Sequence, residues 1–115
     1  MELIRKQQLF AISFSKLIQF AISKGYQVTI GEVERTKNQA LLNSKSGKGI
    51  KNSLHIIRLA GDLHLFHNGK YLDKSEDHKE LGKYWESLSV PDAKHCWGGN
   101  FGDGNHYSIE HDGRK

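Results

Sequence analysis

The chain has 115 residues, 26% of them charged and 37% hydrophobic, which suits one modest core and leaves no room for two. One proline (Pro91) and one cysteine (Cys96) exclude a low-complexity polymer, an intramolecular disulfide framework and a cysteine-rich zinc knuckle. The net charge of +4 suits a polyanionic partner, whether nucleic acid or an anionic cell wall, although Lys45, Lys48, Lys51, Arg114 and Lys115 read first as solvated surface.

In chain order, large apolar residues at Leu3, Leu9/Phe10, Phe14, Leu17/Ile18 and Ala21/Ile22 recur at helical spacing, and Gly25 supplies a stop. Only Arg5, Lys6, Lys16 and Lys24 are basic there, so the expected helix packs on a core rather than on a membrane surface. Lys16 and Gln19 interrupt the apolar run and no clear cleavage site follows, which argues against a secretory signal; no stretch reaches transmembrane length. Residues 26–30 have strand composition. Thr36 can cap a short helix through Leu42, and the polar, glycine-containing residues 43–52 read as a loop. Residues 58–66 alternate as a strand, with Leu59, Gly61, Leu63 and Leu65 on one side and Ala60, Asp62, His64 and Phe66 on the other. His67–Asn68–Gly69–Lys70 is a turn signal, with Tyr71 and Leu72 returning as a hairpin. Residues 78–88 read as a second helix presenting Leu81, Tyr84/Trp85 and Leu88. After Pro91 the chain is glycine-rich until a short closing strand at 107–109. Without a regular βαβ alternation, the class is α+β.

The chemistry lies in two segments, SLHIIRLAGD (53–62) and WGGNFGDGNH (97–106). Together they hold two imidazoles and two carboxylates, the inventory of a His/Asp/His zinc site plus one general base. His55 and Asp62 are seven residues apart, so one regular strand would point them to opposite faces. A bend that leaves His55 on the approach to the strand and Asp62 within it removes the conflict. The spacing D-x-x-H occurs twice, at Asp92/His95 and at Asp103/His106. Lys94 would repel a dication at the first, whereas the glycines around the second let the backbone fold tightly round a ligand.

This ordered set, S-x-H, an A-x-D ending seven residues after the His, and an aromatic-Gly-Gly lead into D-x-x-H, resembles the zinc peptidases that cut peptidoglycan stem peptides. That family comprises the D-Ala-D-Ala carboxypeptidases and the phage L-alanyl-D-glutamate endolysins. The resemblance runs over nearly the whole chain. The segments LGKYWE (81–86), WGG (97–99) and DGNH (103–106) are similar to the compact endolysin branch. It implies a hedgehog/DD-peptidase-like fold, helices on a mostly antiparallel sheet, with Zn²⁺ held by His55, Asp62 and His106. It also implies Asp103 as the base, a separation of carboxylate roles that the residues alone leave open. Arg35, with Gln39 downstream, resembles the family's Arg segment and could steady the oxyanion, or pair with Glu32 or Glu34 at the surface. Ser53 orients the His55 region or shapes its turn. Trp97 is core or a substrate platform. His64 shares the side of Asp62 and could support it, while His67, His78 and His111 are spectators and Cys96 a small buried hydrophobe.

The expectation is a single zinc peptidase catalytic domain over residues 1–115, without a separate wall-binding domain. It would act as a monomer that cleaves the L-alanyl-D-glutamate bond of peptidoglycan stem peptides. Made in a bacterial cytoplasm as a phage or prophage lysis enzyme, it would reach the wall through a holin-type pore. No nucleic acid and no stable membrane insertion are expected. Ile57, Arg58 and Gly61 depart from many carboxypeptidase relatives, so substrate preference transfers less securely than the metal site. Two alternatives remain: a D-Ala-D-Ala carboxypeptidase using the same site, and a basic nucleic-acid-binding protein or metal nuclease. The absence of a Cys/His finger or an aromatic-basic reading helix counts against the latter.

Overall fold

The computed structural model describes residues 1–33 and 54–115. The expected helix from Thr36 to Leu42 and the loop at 43–52 lie outside the described residues. Helix α1 spans Leu3–Ser23 and buries Phe10, Phe14, Leu17 and Ala21, the 4-3-4 spacing of one helical face. It ends where Gly25 adopts φ +91°. Tyr26 N–H then donates to Ala21 O and Gly25 N–H to Ile22 O, the paired bonds that close a helix with a left-handed residue. No described helix is long and apolar enough to cross a membrane.

The sheet consists of β1 (Gln27–Ile30), β2 (Ala60–His67), β3 (Lys70–Leu72), β4 (His95–Trp97) and β5 (His106–Ile109). Its order is β1-β2-β5-β4, with β3 also on β2, and all pairings between these strands are antiparallel. The β2–β3 hairpin turns at Asn68 and Gly69, both at positive φ (51° and 80°), as a two-residue Asn-Gly turn matching the strands' twist requires. Helix α2 (Lys79–Ser87) buries Leu81, Gly82 and Trp85.

Trp85 joins the layers. Its ring meets Phe10 and Phe14 of α1 edge-on and Tyr107 of β5, and its indole N–H donates to Ser108 O at 3.0 Å. Gly61 on β2 lets α1 sit close: a Cβ there would lie 3.0 Å from the Phe14 ring. Helices on one antiparallel sheet over one core make the class α+β, as the residue pattern predicts.

Strand β4 lies within the glycine-rich stretch between Pro91 and residue 107, where the sequence pattern indicates no strand. His95, Cys96 and Trp97 are all buried, and a three-residue strand buried on both faces carries no period-two signal. The same strand explains His95: its ring nitrogens meet Ser13 Oγ at 2.9 Å and Ala93 O at 3.0 Å, beside Trp85. Core satisfaction, more than the repulsion of Lys94, removes Asp92/His95 from metal chemistry.

Candidate metal centre

A 3-10 turn at Leu54–Ile57 carries His55. Leu59 N–H donates to Leu54 O at 3.0 Å, and Gln7 on α1 ties the turn down through Ile57 O at 2.8 Å. Arg58 at φ +57° then redirects the chain into β2, so the bend between His55 and Asp62 is local and sharp. Asp62 pairs in register with His106 of β5. A turn and two adjacent strands thus converge three side chains from distant parts of the sequence.

His55, Asp62 and His106 offer ligand atoms that all lie within 4.8 Å of one another, and no other such group of three occurs among the described residues. Asp62 Oδ1 is 3.4 Å from His55 Nε2 and 3.5 Å from His106 Nδ1. These separations are long for N–H···O hydrogen bonds. They match the edge of a tetrahedron whose metal–ligand bonds are about 2.1 Å, which is roughly 3.4 Å. Both imidazoles are buried, at 3% and 7% exposure. His106 Nε2 has no hydrogen-bond partner among the described residues, so this buried polar atom calls for a partner such as water or an ion. The two imidazoles and the carboxylate therefore form a donor set that could hold a divalent metal ion.

Burial alone would raise the Asp62 carboxyl, but the neighbouring His106 and His55 rings outweigh it and hold the group well below the usual carboxylate range. Asp103 goes the other way. Burial and then the Asp62 charge push its carboxyl up, against the pull of His106 and His55. The four side chains therefore feel one another's charge, with one carboxylate held down and the other up.

Asp103 is held by a tight loop. The 3-10 turn Gly98–Phe101 is capped by Gly102 at φ +84°, Asp103 N–H donates to Gly98 O at 2.8 Å and His106 N–H to Asp103 O at 3.1 Å. Trp97 Nε1 donates to Gly104 O at 2.7 Å, and Gly104 N–H donates to Ser75 Oγ at 3.0 Å. Gly98 has no alternative, since a Cβ there would stand 2.1 Å from Asp103 O. Asp103 also borders a cleft of about 220 Å³ with Tyr71, Lys74, Ser75, His78 and Asn105.

The other predicted site residues fall variously. Arg35 and Ser53 lie outside the described residues. Trp97 is buried among core side chains, packed on Gly82 and Gly99, and its indole bonds the site loop at Gly104. His64 shares the side of Asp62 and meets the Tyr71 hydroxyl at 3.4 Å, lying over Gly31. Cys96 is buried, and burial followed by Glu110 pushes its thiol up. His78, expected to be a spectator, is buried, with Nδ1 2.7 Å from the Tyr107 hydroxyl.

Two residues beside the centre carry no sequence signal of their own. Glu32 Oε1 lies 3.7 Å from His55 Nδ1, and the half-exposed Phe101 ring lies 6.1 Å from that of His106.

No protein-family model matches the sequence, and comparison with curated proteins finds no match. Among solved structures, the chain is similar to the crystal structure of the Serratia marcescens L-Ala D-Glu endopeptidase ChiX. The TM-score is 0.64 at 16% identity, covering 82% of this chain and 75% of that one. At that identity the likeness establishes the fold.

Proposed function

We propose that the protein is a zinc-dependent peptidoglycan peptidase that hydrolyses the L-alanyl-D-glutamate bond of stem peptides. The observation that carries the reading is the convergence of His55, Asp62 and His106 within 4.8 Å on a fold shared with an L-Ala D-Glu endopeptidase. The ordered S-x-H, A-x-D and WGG…D-x-x-H segments support the same reading, as does the basic charge, which suits an anionic wall.

His55, Asp62 and His106 would hold Zn²⁺. When bound, the ion supplies Lewis acidity toward the scissile carbonyl and lowers the pKa of water to about 7. Asp103 is the proton carrier. A carboxylate whose proton affinity is raised stands closer to neutral pH, where it can take a proton from the attacking water and hand it to the leaving amine. Asp62 cannot share that role, since its held-down carboxyl stays ionised. Arg35 steadies the developing oxyanion in this scheme, a role that rests on sequence resemblance. An endolysin-like part in bacteriolysis, with release through a holin-type pore, goes with this substrate.

The test is digestion of purified peptidoglycan followed by mass spectrometry of the fragments. New amino groups on D-glutamate, with terminal D-alanine retained, support the proposal. Release of D-alanine alone moves the protein to the carboxypeptidase reading, and an unaltered wall rejects both.

A further inference from the structure

We infer that Glu32 is a positioning residue for the metal centre, one that holds two of its ligands at once. The inference rests on the zinc reading above. Beyond the end of β1 the backbone continues along β2: Gly31 N–H donates to Asp62 O at 2.8 Å, and Asp62 N–H donates to Glu32 O at 2.9 Å. The main chain of Glu32 therefore fixes the height of Asp62 on the sheet. Its side chain turns to the other ligand, placing Oε1 3.7 Å from His55 Nδ1.

The buried His55 ring thus lies between two carboxylates, with Nε2 toward Asp62 at 3.4 Å and Nδ1 toward Glu32. An imidazole that ligates through Nε2 needs its lone pair there and its proton on Nδ1. A carboxylate near Nδ1 favours that tautomer through its charge and makes the ligating nitrogen more basic. Glu32 stands on that side, at ion-pair range and one-third exposed. Its carboxylate comes from the first strand's extension, whereas His55 sits on the turn before β2, so one residue locks two separate segments around the ion.

The experiment measures zinc affinity by chelator competition for the full chain, for Glu32→Ala and for Glu32→Gln, alongside the melting temperature of each metal-free protein. Glu32→Ala should bind zinc about 10- to 100-fold more weakly, the usual loss when such a supporting partner is removed. Glu32→Gln keeps an acceptor without the charge and should fall between, while both metal-free proteins melt close to the parent. Equal zinc affinity in all three overturns the positioning role and leaves the centre itself standing. A metal-free melting temperature that drops in step with affinity also overturns it, because Glu32 would then support the strand alone. A parent that takes up no zinc is a different failure: it overturns the proposed centre before either variant is compared.

Discussion

Asp62 and Asp103 feel the same two histidines and respond in opposite directions, the pattern by which environments divide roles between paired acids. Asp103→Asn keeps size and shape but cannot accept a proton. Its zinc content and melting temperature should stay near the parent while turnover falls at least about a hundredfold. Asp62→Asn should instead weaken zinc binding, since an amide oxygen is a poorer ligand. Zinc stoichiometry and wall-lysis rate in one buffer check both; loss of zinc from the Asp103 variant alone would reverse the assignments.

His78 carries a separate prediction. Burial lowers its pKa to about 4, against the raising pull of Asp77 and with a further push down from His64; burial also lowers that of His95. Between pH 6.5 and about 4 the unfolded chain therefore binds protons that the folded chain refuses. Stability is full above that window and falls as pH drops through it, by on the order of 3 kcal/mol for a shift of this size. Urea unfolding of metal-free protein at about pH 7 and pH 5 should show the loss, and His78→Gln should show less of it. Equal pH sensitivity in parent and variant would remove His78 as a cause.

At the scale of elements, the loop from Trp97 to His106 places Asp103, and the buried bond from Trp97 to Gly104 ties it to the core. Trp97→Phe removes the donor and leaves a buried carbonyl unmet, a cost of about 1–3 kcal/mol. The melting temperature should fall by roughly 5 °C or more. An unchanged value would show that the loop holds without that bond. Elements whose signals are local were legible: the 4-3-4 apolar face of α1, the Asn68–Gly69 turn and the alternation of β2. Strand β4 was not, because three consecutively buried residues show no alternation. Nothing local to His78 or His95 signals their burial, because their partners, Tyr107 and Ser13, are 29 and 82 positions away. Glu32 was legible only as a neighbour of Arg35. The register of β1 on β2 brings it to His55, and register is a tertiary fact.

Across the whole molecule, the same antiparallel sheet that buries Leu59, Leu63 and Leu65 sets Asp62 opposite His106, so core register and site geometry are one constraint. This is how two short segments far apart in the chain bring His55, Asp62 and His106 together. It also predicts that zinc stabilises the fold, since an ion bound only by the folded chain adds its binding free energy to stability. The most direct measurement is wall lysis by protein stripped of metal and titrated with zinc. Activity should be absent from the stripped protein, rise in proportion to added zinc and level off at about one equivalent per chain, as a three-ligand catalytic site requires. Lysis that is undiminished after metal removal would contradict the account.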